Sequence, residues 1–360
     1  MEIKCIGCGA KIQSEDSNLP GFVPRSITKE EAYCQRCFQI KHYNKASKVN
    51  INEQDYLNIL HNIEDNALII NIVDIFDFHG SFINGLNRIV SSNDVILVGN
   101  KIDLFPKSIN PYKIRNWMRS VSKDLGLNII DVELISSLKN KRIDNVIELI
   151  NKYQNNRNVY VVGCTNVGKS TFINSLINYY TEFNNLITTS FFPGTTLNTI
   201  EIELNGQLLV DTPGIVNRHQ IGHYLGNESL KYVTPYKGIK PIIYQLEPLN
   251  TLFFGGFVRL DLLEGNKTSF VFYKANKVPV HRTKTSNAEN FYKRHLGELL
   301  SPPTLDELEL LGENKKHLLK VKRKQDIVIS GLGFITLNSD VIVNIYLPEK
   351  IKFFVRNSII

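Results

Sequence analysis

The chain has 360 residues, 42% of them apolar and 21% charged, an ordinary globular composition with length enough for two or three domains and a sizeable core. No run reaches the roughly 18 uncharged residues of a membrane span, and no apolar segment follows a basic start, so a soluble, cytoplasmic protein with no membrane partner is expected. The net charge is +7, and it is uneven: residues 215–360 carry 21 Lys and Arg against 13 Asp and Glu, about +8, residues 1–50 about +3, and the stretch between about −4. Basic flanks favour a polyanion such as RNA as partner, although a solubilised surface has the same composition; DNA is not expected.

Three regions separate by texture. The first, 1–48, contains "CIGC" and "CQRC", two Cys-x-x-Cys pairs about 25 residues apart, in a segment too small to build its own core. In a reducing compartment paired cysteines more often hold metal than form disulfides. Cys5, Cys8, Cys34 and Cys37 are therefore expected to bind one structural Zn²⁺, which would supply most of the folding energy; the alternatives are redox chemistry or chance. Cys164 lies apart from them and reads as a small packing residue.

In the second region, 49–220, apolar runs of strand length alternate with amphipathic stretches. ALIINIVDI, DVILVGN, NIIDVELIS, VYVVG, TIEIEL and QLLVDT read as strands; SFINGLNRIV, YKIRNWMRSVSKDL, RIDNVIELINKY and KSTFINSLINYY read as helices. That rhythm predicts a mostly parallel sheet with helices on both faces.

Five motifs in this region carry chemistry. "NKID" closes the strand DVILVGN: Asp103 can accept hydrogen bonds from guanine N1–H and its 2-amino group, the Lys101 stem can cover the ring face, and Asn100 can brace the loop. "ISSLKN", after the next strand, offers Ser136 and the backbone N–H of Ser137 or Leu138 to guanine O6. "GCTNVGKST" follows the strand VYVV and opens a helix, the context of a phosphate loop. There Gly163, Asn166, Val167 and Gly168 form the turn, Lys169 addresses the β- and γ-phosphates, Ser170 offers its hydroxyl to Mg²⁺, and Thr171, next along the helix, is expected to bind the nucleotide as well. "FFPGTT" supplies Thr195 and Thr196 as candidates for the switch hydroxyl on Mg²⁺. In "LLVDTPG", Asp211 ends a strand and addresses Mg²⁺ while Gly214 turns its N–H toward the γ-phosphate; alone, Asp-Thr-Pro-Gly is a common turn.

The order of these motifs is unusual, because the guanine reader precedes the phosphate loop by about sixty residues. Strand position in a parallel sheet fixes where each loop emerges, so a ring of loops survives when old termini are joined and new ones cut elsewhere. The expected fold is α/β: a circularly permuted P-loop GTPase domain, with a small N-terminal four-cysteine zinc finger and a β-rich C-terminal domain. Permutation also makes the Asp211 segment lead straight into the basic C-terminal region.

The third region, 221–360, holds β-branched and aromatic runs broken by Gly and Pro: KPIIYQL, TLFFGGFVRLDLL, KTSFVFYK, DIVISGLGFITL, DVIVNIYL and KIKFFVR. A helix is expected over SNAENFYKRHLGELL, ending before Pro302. "VPVHRTKT", "NFYKRH" and "KKHLLKVKRK" place Arg282, Lys284, Lys293 and Arg294 near Tyr292 and histidines, a composition suited to RNA phosphates and bases or simply to solvent.

Together the permuted order, "VDIFDFHGSF", "NKID", "GCTNVGKS", "FFPGTT", "DTPG", the two Cys-x-x-Cys pairs, "HRTK", "SPP" and "DIVISGLGF" resemble the bacterial YqeH family of ribosome-biogenesis GTPases over essentially the whole chain. The resemblance implies a factor that hydrolyses GTP to GDP and phosphate during small (30S) ribosomal subunit assembly, docking on its rRNA. It also implies slow turnover, because Ile215 stands where Ras-like proteins hold a water-positioning Gln. Some relatives use K⁺ at the phosphates through an Asn matching Asn166, whose other reading is loop bracing; the family pattern favours Thr196 over Thr195. The alternative function is an RNA-binding scaffold with structural nucleotide and negligible turnover. An organellar relative is disfavoured by the lack of an Arg- and Ser-rich start.

Overall fold

A computed structural model describes residues 11–15, 22–24, 35, 60–184, 192–193, 200–204 and 206–360. The described residues gather into two compact units. The first takes the described parts of Met1–Asp74, Ile83–Lys101 and Arg115–Val216; the second takes Ile75–Phe82, Ile102–Ile114 and Asn217–Ile360.

In the first unit one seven-stranded sheet is built from β1 (Leu68–Asp74), β2 (Asp94–Asn100), β3 (Asp131–Leu134), β4 (Val159–Gly163), β5 (Phe192–Pro193), β6 (Ile200–Leu204) and β7 (Gln207–Asp211), in spatial order β3-β2-β1-β4-β7-β6-β5. The pairs from β3 through β7 are parallel and those to β6 and β5 antiparallel. β1 and β2 are buried along nearly their whole length, as continuous Ile/Val/Leu runs covered on both faces must be.

Three helices follow the expected apolar spacing: α1 (Pro111–Asp124) buries Ile114 and Met118, α2 (Ile143–Tyr153) buries Ile143, Val146, Ile147 and Ile150, and α3 (Lys169–Asn184) buries Phe172, Ile173 and Leu176. The helix expected over SFINGLNRIV is not continuous. Only Leu86–Ile89 is helical within it after Ser81, because Phe82 is extended at φ −79°, ψ 133° and ends the helix Phe78–Ser81, and Gly85, left-handed at φ +76°, starts the next one.

The second unit is antiparallel. Its strands are β8 (Ile242–Leu246), β9 (Asn250–Phe254), β10 (Val258–Gly265), β11 (Thr268–Lys274), β12 (Val280–Lys284), β13 (Asn314–Val321), β14 (Gln325–Ile329), β15 (Gly333–Leu337), β16 (Val341–Pro348) and β17 (Phe353–Asn357). They form two five-stranded sheets, β12-β9-β10-β16-β13 and β17-β14-β15-β11-β8. Leu252, Phe254 and Val343 of one sheet and Phe270, Phe272, Ile327 and Ile335 of the other belong to a single apolar core.

Three short helices join this unit: α4 (Asn227–Val233), α5 (Ala288–His295) and α6 (Leu305–Leu311). The expected helix over SNAENFYKRHLGELL stops at His295, since Leu296 is extended and Gly297 lies at φ +80°. Two basic segments are strands, VHRTK in β12 and NKKHLLKV in β13, each at a sheet edge. No helix among the described residues is long and apolar enough to cross a membrane.

Candidate nucleotide-binding site

β4 delivers the chain into the turn Cys164–Gly168, and α3 begins immediately at Lys169. The turn tolerates little but its own residues. A Cβ on Gly163 would lie 2.7 Å from the Ile72 carbonyl oxygen, and one on Gly168, at φ +90°, would collide with the Asn100 amide. Asn166 is also left-handed, at φ +64°, a conformation Asn adopts more readily than most residues. The N–H groups of Val167, Gly168, Lys169 and Ser170 find no acceptor among the described residues, and they open the N-terminus of a sixteen-residue helix. Such a concavity of unclaimed donors fits a polyphosphate. Ser170 is exposed, Thr171 half-buried and Val167 buried.

Lys169 and Asp211 are both buried, and the ammonium binds the Asp211 carboxylate and the Thr212 carbonyl. An ammonium and a carboxylate beside that concavity are the donor set for phosphate oxygens and a hydrated Mg²⁺. After Asp211 the chain keeps to the phosphate loop as an extension of β7. Thr212 donates its N–H and hydroxyl to Val161 O at 3.2 and 2.9 Å, Ile215 N–H reaches Gly163 O at 3.2 Å, and Thr165 N–H reaches Ile215 O at 2.8 Å. A Cβ on Gly214 would meet Thr165 at 3.2 to 3.3 Å. The backbone of the Asp-Thr-Pro-Gly segment thus lies in contact with the loop it is expected to serve.

On the guanine side, Asn100 at the end of β2 joins three loops. Its amide donates to Val167 O at 2.8 Å; its carbonyl accepts from Lys101 N at 2.8 Å, Ser137 N at 3.0 Å and Ser137 Oγ at 3.2 Å. Lys101, at φ +70°, sends Nζ to Asn166 O at 2.6 Å and to Asp74 at 2.7 Å. The buried Ser136 accepts Lys139 N–H at 3.2 Å, while Leu138 is exposed. Asp103 lies in the 3₁₀ turn Ile102–Leu104, half-buried, and its carboxylate has no hydrogen-bond partner among the described residues. Asp74 was not singled out as a site residue by sequence reasoning. The available signal was an acid ending the central strand, where a parallel sheet presents its loops.

Thr195, Thr196, Cys5, Cys8, Cys34 and Cys37 lie outside the described residues. Among the described residues no group of His, Cys, Asp and Glu could hold a metal by itself. Of the basic residues, Arg282 and Lys284 line an open hollow of about 390 Å³ with Gln245, Glu247 and Lys267. Tyr292 is occupied by packing: its ring stacks on Phe253 at 5.9 Å, and Asn314 bonds its hydroxyl at 3.2 Å.

The sheet, the loop-to-helix turn and the Lys169–Asp211 pair define a P-loop GTPase domain, and residues 158–246 match a family model described as "50S ribosome-binding GTPase". Residues 267–359 match one described as "YqeH-like, C-terminal". YqeH of Bacillus subtilis (strain 168) is 48% identical over the full length of both chains, and the chain belongs to the YqeH family. NO-associated protein 1, chloroplastic/mitochondrial, of Arabidopsis thaliana is 32% identical over 92% of this chain and 69% of its own. Nitric oxide-associated protein 1 of Homo sapiens is 23% identical over 92% and 68%. The solved structure of GNP-bound YlqF from T. maritima covers 51% of this chain and 67% of its own at 18% identity, with a TM-score of 0.33, too slight an overlay to argue from.

Proposed function

We propose that the chain is a Mg²⁺-dependent GTPase of ribosome assembly, turning GTP into GDP and phosphate and docking on the small subunit and its rRNA in a nucleotide-dependent way. The observation that carries the reading is Asn100, whose one side chain ties the guanine motif, the serine loop and the phosphate loop together. Ser170, Thr196 and Asp211 hold Mg²⁺ in this reading, with Thr195 adjacent; Gly214 meets the γ-phosphate, and Ser136 to Leu138 meet the base. The subunit assignment rests on the YqeH resemblance, whereas the family model over 158–246 is named for the large subunit.

The decisive experiment compares GTP- and GDP-loaded protein on purified small and large subunits at fixed salt. Tighter binding of the GTP form to small subunits is expected; equal affinity of the two forms, or a preference for large subunits, defeats the proposal. Multiple-turnover phosphate release, with and without subunits, separates a GTPase from a scaffold with structural nucleotide. Ile215 offers no group to orient water, so turnover is slow without a partner or K⁺ near Asn166, and replacing K⁺ by Na⁺ tests the latter. In the same reading 1–48 is a Zn²⁺ finger on Cys5, Cys8, Cys34 and Cys37, 49–220 the permuted GTPase domain, and 221–360 an RNA-binding domain. Metal analysis of a Cys5→Ser, Cys34→Ser variant should find about one Zn²⁺ per chain lost.

A further inference from the structure

The turn that carries Asp103 is tied to a strap of the same unit, Gly238–Lys240. β11 ends at Lys274, and the chain turns through Ala275, Asn276 and Lys277. The Asn276 side chain closes on the strap Gly238–Lys240 with both its groups: Nδ2 donates to Gly238 O at 3.0 Å, and Oδ1 accepts from Lys240 N at 2.9 Å. Between those two residues, the buried Ile239 donates its N–H to Leu104 O at 2.8 Å. Leu104 ends the 3₁₀ turn that begins at Ile102, and a Cβ on Gly238 would lie 3.9 Å from the Asp103 carbonyl oxygen. Behind the turn Leu104 and Phe105 are buried, with Phe105 stacked on Phe334 at 6.3 Å. Just before the strap, Lys277, of the same turn as Asn276, lies over the rings of Tyr232 and Tyr236 at 5.3 and 5.8 Å.

From this geometry we infer that Asn276 is a positioning residue for guanine recognition, fixing through Ile239 and Leu104 the turn on which Asp103 is mounted. The inference rests on the reading of Asp103 as the guanine-specific residue. Two hydrogen bonds from one base edge to one carboxylate require the carboxylate to be held to a fraction of an ångström, and a three-residue turn does not hold itself that well. Tethering the carbonyl one residue beyond Asp103 supplies the missing restraint. The clamp needs a side chain that donates and accepts at the same short reach, which Asn does and Asp, lacking the donor, does not.

The experiment measures GDP and IDP binding to the full-length protein by titration calorimetry; IDP lacks the 2-amino group and so forfeits one of the two Asp103 bonds. Wild type should prefer GDP, and Asp103→Asn should abolish that preference. Asn276→Ala should lower the GDP-to-IDP affinity ratio by at least about threefold, a loss on the scale of one weakened hydrogen bond. Asn276→Asp, which keeps the shape and the acceptor for Lys240 N–H, should fall between and guards against misfolding of the alanine variant. An unchanged ratio in both Asn276 variants, even with both affinities reduced together, overturns the inference. An unchanged ratio in Asp103→Asn instead overturns the guanine reading on which the clamp depends.

Discussion

Asn100 and Asp326 are both buried polar side chains, yet one connects three loops and the other answers only neighbours within its own sheet. In the first unit one set of polar contacts gathers where the parallel strands end: Asn100 joins three loops there, Lys101 bridges Asp74 to Asn166, and Lys169 meets Asp211. In the second unit two buried carboxylates sit in closed groups inside the sheets, Asp326 with Arg356 at 3.2 Å and Thr336 at 2.7 Å, and Asp261 with Arg259 at 2.9 Å and Thr251 at 2.6 Å. Parallel strands all end on the same edge, so their loops meet; antiparallel strands deliver loops to both ends, and a buried charge must find its partner locally. Side chains such as Asn100 and Lys169 are therefore arranged toward a ligand, and those such as Asp326 and Asp261 toward the fold itself.

Breaking a pair in the second unit should give the largest effect. Asp326→Ala takes the carboxylate away from the buried Arg356, a loss of about 3–5 kcal/mol, seen as an earlier urea transition in far-UV circular dichroism. Trp117, the one tryptophan of the chain and part of α1, should report an unshifted first unit. In the first unit the matching change acts on function: Lys169→Ala should cut GTP turnover by about 10²–10³-fold, the scale of losing one preorganised phosphate contact, measured as phosphate release. Third comes acid sensitivity. Burial, helped by the charge of Arg356, pushes the His79 imidazole down to about 4 from an ordinary 6.5. The folded form then refuses a proton that the unfolded chain accepts. Stability falls as pH drops from about 6.5 and levels off below about 4, about 3 kcal/mol in all. Subtracting the curve for His79→Gln isolates that slope, and a flat difference refutes it.

Smaller changes sharpen the contrast. Asn71 in β1 is fully buried, and neither its amide nor its carbonyl has a partner among the described residues. Asn71→Val should raise the Trp117-detected unfolding free energy by about 1–2 kcal/mol. Thr304 caps α6 in a reciprocal box with Glu307, so Thr304→Ala should cost about 1 kcal/mol, read in the circular dichroism transition.

The sheet of the first unit was legible because unbroken runs such as LIINIVD and DVILVGN permit little besides a doubly covered strand. The phosphate loop was legible because its glycines, lysine and following helix occur together. What the sequence concealed is edge structure and brevity. β13 reads as a charge cluster because both its faces are largely exposed, Lys316 and Lys320 on one and Lys315 and His317 on the other, and no apolar alternation betrays a strand. α6 has seven residues, too few for a periodic signal. Long-range polar partners were hidden too: nothing local to Asn276 announces Gly238, thirty-eight residues earlier.

The lysines of β13 have a consequence of their own. An outermost strand offers a free row of backbone donors and acceptors to any passing copy of the same chain, and strand-to-strand stacking is the usual beginning of a fibril. Lys315 is paired with Glu313 and Glu349, and the like charges of Lys316 and Lys320 along that border make two such molecules repel before their backbones can register. Part of the positive charge of the C-terminal region is thereby accounted for as protection of the molecule from itself.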